Sequence, residues 1–301
     1  MSQPSAPRIG SAPLALALML AACSSAAPSS GAPTAPESAA PSESAAPSEA
    51  ADGLVLVAIG DSIPYNASED CPGCTGFVDS YAEALAAEIG QTVTANNWSR
   101  HDGARTIDIL EQLESDQALR DELAGADVIV MSVGFNDQPP FADAHDGCPP
   151  AVNDAMSLEE VVQAGADTTQ ACIDGVVPVI RGQIAEVFGH LRELAPDAGI
   201  ATLGAYDSWR GWPALEGMDA ATVETLYAAV TYWFEQWNAA VCEEAEAAGA
   251  ACIDVYSAFN GADGTEPPGD LVAADHTHPS QAGNDLIRDL LVDAGLTVEP
   301  S

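Results

Sequence analysis

Apolar residues in this chain come as short unbroken runs alternating with stretches of helical spacing. Leu54–Ile59 is one such run and stops at Gly60; Asp127–Val133, carrying Val128, Ile129, Val130 and Met131, is another. Runs of this length read as strands buried on both faces. Between them Phe77, Tyr81, Leu85 and Ile89 recur every fourth residue, which marks one face of a helix. The same reading predicts strands at Gln91–Trp98, Gly199–Leu203 and Ala251–Tyr256. It predicts helices at Thr106–Leu113, Leu158–Leu194 with a break near Asp174–Pro178, roughly thirty residues from Ala220, and Ser280–Ala294. Strands separated by helices imply parallel βαβ units, so the expected fold is α/β: a three-layer α/β/α sandwich around a mostly parallel sheet. Ligands of such sheets bind beyond the carboxyl ends of the strands.

The first 52 residues do not follow this pattern. Arg8 and the amino terminus precede an apolar run, Ala12–Leu20, which is too short to span a bilayer. The run ends in Leu20-Ala21-Ala22-Cys23, which resembles a bacterial lipobox, where cleavage before the cysteine exposes a thiol for acylation. Residues 1–23 therefore read as a lipoprotein signal peptide with Cys23 as the lipidation site. Of the 29 residues from Ser24 to Asp52, 23 are Ala, Ser or Pro, and AAPSE occurs twice. Such a stretch cannot build a core and reads as a disordered tether, 24–52, ahead of a folded domain, 53–301.

Composition narrows the partners. The chain of 301 residues carries 46 acidic side chains against 8 basic ones, a net charge of -38, and all eight are arginines. That sign repels phosphate backbones and anionic headgroups, so no nucleic-acid partner is expected, and membrane contact only through the N-terminal anchor. Yet 47% of residues are hydrophobic, too many for a disordered polyanion. A folded, soluble head, expected as a monomer, carries its charge on the surface.

Cys23 apart, six cysteines remain: Cys71, Cys74, Cys148, Cys172, Cys242 and Cys252. An even count in an exported chain suggests three disulfides, with fifteen pairings formally possible. The sequential set 71–74, 148–172 and 242–252 is favoured because each bridge closes a local loop. Cys71-Pro-Gly-Cys74 also has the spacing of a redox or zinc pair, but no second ligand pair and no strand leading directly into it accompany it.

Polar residues gather just past the predicted strands. Gly60-Asp61-Ser62-Ile63-Pro64 follows the first, Asn97–Gly103 the second, Gly134-Phe135-Asn136-Asp137 the third, and Asp275-His276-Thr277-His278-Pro279 precedes the last helix. These four blocks, in this order, resemble the SGNH (GDSL) hydrolase family over essentially all of Gly53–Leu296. The resemblance implies a carboxylic ester hydrolase, an esterase or lipase, working without metal or cofactor. Ser62 would be the nucleophile, His278 its base and Asp275, three residues earlier, the group orienting the base. Oxyanion donors would be the backbone N–H groups of Ser62 and Gly103 and the side-chain amide of Asn136.

His276 competes as base, but Asp275 to His278 has the family's D-x-x-H spacing. Asp275, His276 and His278 are not read as a metal site, because no further His or Glu has suitable spacing. Asp61 and Asp137 read as structural, bonding loop backbone. Pro64 fills the last position of G-x-S-x-G, so the α/β-hydrolase elbow is absent. Trp209 and Trp212 either wall a substrate pocket or pack an ordinary loop, and 138–155 could form one rim. Substrate would be a lipid or acylated-sugar ester. A carbohydrate or cell-wall O-acetyl esterase and a tethered, non-catalytic binding protein are the alternatives. The expected location is outside the cytoplasm, as a surface lipoprotein, or secreted if Cys23 is not acylated.

Overall fold

A computed structural model describes residues 53–296, apart from 143, 144 and 154. Cys23, the signal peptide and the tether lie outside the described residues. Five strands, β1 (Gly53–Gly60), β2 (Thr92–Asn97), β3 (Val128–Ser132), β4 (Gly199–Leu203) and β5 (Ala251–Ile253), form one sheet in the order β2-β1-β3-β4-β5. Every pairing is parallel. The fold is thus the expected α/β sandwich.

Helices α1 (Ser62–Tyr65), α2 (Phe77–Ile89), α3 (Thr106–Ser115), α4 (Gln117–Ala124), α5 (Leu158–Ala166), α6 (Gln170–Leu194), α7 (Ala220–Ala247), α8 (Val255–Asn260) and α9 (Gln281–Asp293) complete it. Successive strand residues point to opposite faces, so the central strands feed two cores. Val57, Ile59, Ile129, Met131 and Ile200 join Ile109, Leu119, Ile184, Trp233 and Trp237 from α3, α4, α6 and α7. Leu56, Ala58, Val130 and Leu203 join Phe77, Tyr81, Phe259 and Ile287 from α2, α8 and α9. Burial on both faces is why β1 and β3 read as unbroken apolar runs.

Two expected boundaries move. The break in Leu158–Leu194 falls at Asp167–Thr169, not at Asp174–Pro178. Thr169 caps α6 by accepting from the Cys172 N–H at 3.2 Å, and Pro178 sits inside the helix. A proline there removes one helical hydrogen bond, but the buried Ile173, Val176, Ile180, Ile184 and Leu191 hold the helix against the core on either side of it. The strand expected over Ala251–Tyr256 ends at Ile253, because Asp254 accepts from the Ser257 N–H at 2.9 Å and starts α8. The short helix α4, capped by Asp116, has no counterpart in the sequence reading.

Disulfides join Cys71–Cys74, Cys148–Cys172 and Cys242–Cys252, the sequential set. Such bridges persist in oxidising compartments, which suggests an extracytoplasmic protein. Among the described residues no helix is long and apolar enough to cross a membrane.

Candidate active site

Strand β1 delivers Ser62 to the carboxyl edge of the sheet. Asp61, fully buried beside it, accepts from the Ile63 N–H at 3.0 Å and so shapes the turn into α1. Burial pushes the Asp61 carboxyl up to about 7. Ser62 opens α1, where backbone N–H groups have no partner within the helix.

The loop after β2 is tied to this turn. The Asn97 side chain donates to the Pro64 carbonyl at 2.6 Å, and the Arg100 N–H to the Gly60 carbonyl at 2.9 Å. Gly103 follows with a φ of 75°, a conformation that favours glycine. The loop after β3 is tied in turn to the start of α3. Buried Asp137 accepts from the Thr106 N–H at 3.0 Å and the Thr106 hydroxyl at 2.9 Å, while burial lifts its carboxyl to about 6. Asp61 and Asp137 therefore bond loop backbone. Asn136 donates from Nδ2 to the Ala104 carbonyl at 3.0 Å, leaving one amide hydrogen over. A Cβ on Gly103 would lie 3.9 Å from Asn136 Oδ1, so these two blocks meet. Gly134 permits a close approach of another kind: a Cβ there would fall about 2 Å from the buried Trp237 ring.

The segment before α9 supplies the remaining groups. His278 Nε2 lies 2.9 Å from Ser62 Oγ, and its Nδ1 lies 2.5 Å from Asp275 Oδ2. Asp275 also accepts the N–H groups of Thr277, at 3.1 Å, and His278, at 3.2 Å. Burial opposes its charge, but these bonds outweigh it and hold the carboxyl below its ordinary range. The Tyr206 hydroxyl fastens the loop by donating to the Thr277 carbonyl at 2.6 Å. Burial lowers the His278 pKa, yet the Asp275 hydrogen bond and the charges of Asp70, Asp275 and Asp61 outweigh it, and the net shift is upward. His276, with a φ of 58°, lies on the wall of the neighbouring cleft; the ring that reaches Ser62 is that of His278.

That cleft has a volume of about 370 Å³ and begins at Asn136, His276 and Thr277. Its walls are Phe135, Phe141, Met156, Leu158, Val161, Trp209 and Trp212. Trp209 and Trp212 pack edge to face at 5.6 Å, and Phe141 closes on Trp209 at the same distance. The two tryptophans thus wall a pocket, and Phe141 makes part of 138–155 a rim, with Met156 just beyond it. The Cys148–Cys172 bridge ties that segment to α6. Trp233, Phe234 and Trp237 are buried in the core.

Another flank of Ser62 is charged. Asp70 Oδ2 lies 2.8 Å from His101 Nε2 and 3.5 Å from His278 Nε2. His101 stacks on the exposed Tyr65 ring at 5.3 Å. Nothing in the spacing of the sequence marks Asp70; only the loop around Cys71–Cys74 brings it here.

A Ser–His–Asp chain at the carboxyl edge of a wholly parallel sheet has the form of a serine hydrolase site. The model of the GDSL-like lipase/acylhydrolase family matches residues 58–286, and the chain belongs to that family of ester hydrolases. None of the curated proteins is significantly similar to it in sequence. Among solved structures, a lipase from a goat rumen metagenome aligns over 81% of this chain and 98% of its own, at 16% identity and a TM-score of 0.60. A catalytic mutant of an acetylxylan esterase from Geobacillus stearothermophilus aligns over 84% of this chain and 100% of its own, at 19% identity and a TM-score of 0.50. At these identities the likeness is one of fold.

Proposed function

We propose that this protein is an exported carboxylic ester hydrolase that works through a serine acyl-enzyme and prefers acyl chains longer than acetyl. The observation that carries the reading is the unbroken line Asp275–His278–Ser62, with contacts of 2.5 and 2.9 Å. His278 takes the Ser62 proton at Nε2 as Oγ attacks the ester carbonyl, and Asp275 stabilises the imidazolium. The oxyanion is met by the N–H groups of Ser62 and Gly103 and the free hydrogen of Asn136. His278 then gives its proton to the leaving alcohol, and water repeats the sequence to release the acid.

The apolar cleft supports the chain-length preference. Acetate has no use for about 370 Å³ walled by aromatic and aliphatic side chains. A longer acyl chain gains about 0.8 kcal/mol for each buried CH₂. The three disulfides support export, and the Leu20–Cys23 motif ahead of an Ala/Ser/Pro-rich stretch supports a lipid anchor. The head would then act as a monomer at the cell surface.

Hydrolysis of p-nitrophenyl esters from acetate to palmitate by the full chain, beside Ser62→Ala, tests this. Serine-dependent turnover that rises beyond acetate is the expected result. A sharp maximum at acetate would favour a carbohydrate O-acetyl esterase instead. No turnover, and no labelling of the folded protein by a fluorophosphonate, would leave a binding role. Intact mass after detergent extraction tests acylation of Cys23.

A further inference from the structure

We infer that Asp70, His101 and His278 form a binding site for a divalent transition-metal ion, Zn²⁺ above all, and that the ion switches off the serine by occupying its base. One ligand atom from each residue lies within 4.8 Å of the other two. Two of its edges are 2.8 Å from Asp70 Oδ2 to His101 Nε2 and 3.5 Å from the same oxygen to His278 Nε2. Tetrahedral zinc, with bonds of about 2.0–2.1 Å to nitrogen and oxygen, places its ligands about 3.3 Å apart. Small side-chain rotations close the difference.

What separates this cluster from a chance meeting of charges is how both rings are turned. His278 presents Nδ1 to Asp275 at 2.5 Å, and His101 presents Nδ1 to Glu69 at 3.8 Å. Both therefore aim Nε2 at one shared carboxylate oxygen. The Asp275 carboxylate behind Nδ1 of His278 is the usual support of a metal ligand and fixes the tautomer that keeps the Nε2 lone pair free. Glu69 is too far from His101 to hydrogen-bond, and His101 Nε2, 2.8 Å from the Asp70 oxygen, donates its proton there and gives it up when the ion binds. Two imidazoles and one carboxylate suit zinc, and a fourth position remains for water or for Ser62 Oγ, 2.9 Å from His278 Nε2. The surface charge of -38 draws cations to the site.

The lone pair of His278 Nε2 cannot both accept the Ser62 proton and bind a metal ion. Zinc and turnover exclude each other, and the ion acts as a reversible inhibitor. The inhibition rests on the proposed role of His278, whereas the binding does not. Zinc affinity is therefore measured on the inactive full-length Ser62→Ala chain by titration against a chromogenic chelator, and inhibition on the parent enzyme in zinc-buffered solution. Zinc should bind Ser62→Ala at one site per chain, and it should inhibit the parent reversibly, with activity restored by EDTA. His101→Ala should hydrolyse p-nitrophenyl butyrate much as the parent does without zinc. It should need at least 10–100-fold more zinc for half inhibition, since loss of even a supporting partner costs about that much affinity. Absence of zinc binding to Ser62→Ala overturns the site, as does undiminished zinc sensitivity in His101→Ala. Binding to an otherwise inactive parent enzyme would instead sink the esterase reading and leave the site standing. Stimulation by zinc would overturn the inhibitory role.

Discussion

Two flanks of Ser62 differ in almost every physical respect. One is the cleft beyond Asn136, walled by Phe135, Phe141, Trp209 and Trp212 and rimmed by a segment bridged to α6 through Cys148–Cys172. The other carries Glu69, Asp70 and His101, with Arg100 paired to Asp102 close by. An apolar chain gains by entering the first and has nothing to gain from the second. The second is a place for protons, water, polar alcohols and cations. The contrast suggests a division of labour: selectivity for the acyl group arises in the cleft, and control of the base arises at the charged rim. His278 belongs to both, since its neighbours Thr277 and His276 line the cleft while its Nε2 faces Asp70.

Changes at the shared centre should abolish activity on every substrate alike. Ser62→Ala and His278→Ala are each expected to lower kcat on the order of 10⁶-fold with folding intact by circular dichroism, because groups acting as a unit fail as a unit. Asn136→Ala should cost about 10²–10³ in kcat, and equally for short and long esters, since an oxyanion has no chain length. Unequal losses would mean that Asn136 works mainly as cleft wall.

The flanks themselves should separate. Phe141 is partly exposed, so Phe141→Ala removes apolar wall with little risk to the fold. It should lower kcat/KM for octanoate by about 5–30-fold, the equivalent of about 1–2 kcal/mol of lost burial, while acetate changes far less. An equal loss on acetate would assign the residue to folding, not to selection.

The smallest expected effect lies on the charged rim. In the proposed mechanism His278 must be neutral to act as base, so activity should climb as pH rises through its elevated pKa. The Asp70 charge is among those raising that pKa. Asp70→Asn should therefore move the acidic limb of the kcat/KM profile to lower pH and leave chain-length preference as it was. A limb that stays put, or moves up, would mean that Asp70 does not act on His278 electrostatically.

Much of this was legible in the chain, for identifiable reasons. Strands β1 and β3 lie in the middle of the sheet, so both faces demand apolar residues and the runs are unbroken. Ser62, Asn136 and the Asp275–His278 pair stand just past strands or before a helix, and local spacing within each block, such as D-x-x-H, carries its own geometry. Pro178 by backbone propensity alone favours a break, but burial of the face around it outweighs one lost hydrogen bond and α6 runs through it. The end of β5 is hard to see in the sequence because Asp254, a helix cap, sits inside an apolar stretch.

The sequence by itself determined the alternation of elements, the α/β layering and the local blocks that carry Ser62, Asn136, Asp275 and His278. Only the tertiary structure decided what surrounds that site. The cleft joins residues from the loop after β3, from α5, from the loop after β4 and from the segment before α9. The charged cluster unites positions 70, 101 and 278. No period or motif links such positions. They meet because the sheet order brings the ends of β1, β2 and β3 side by side, so that loops far apart in the chain share one edge.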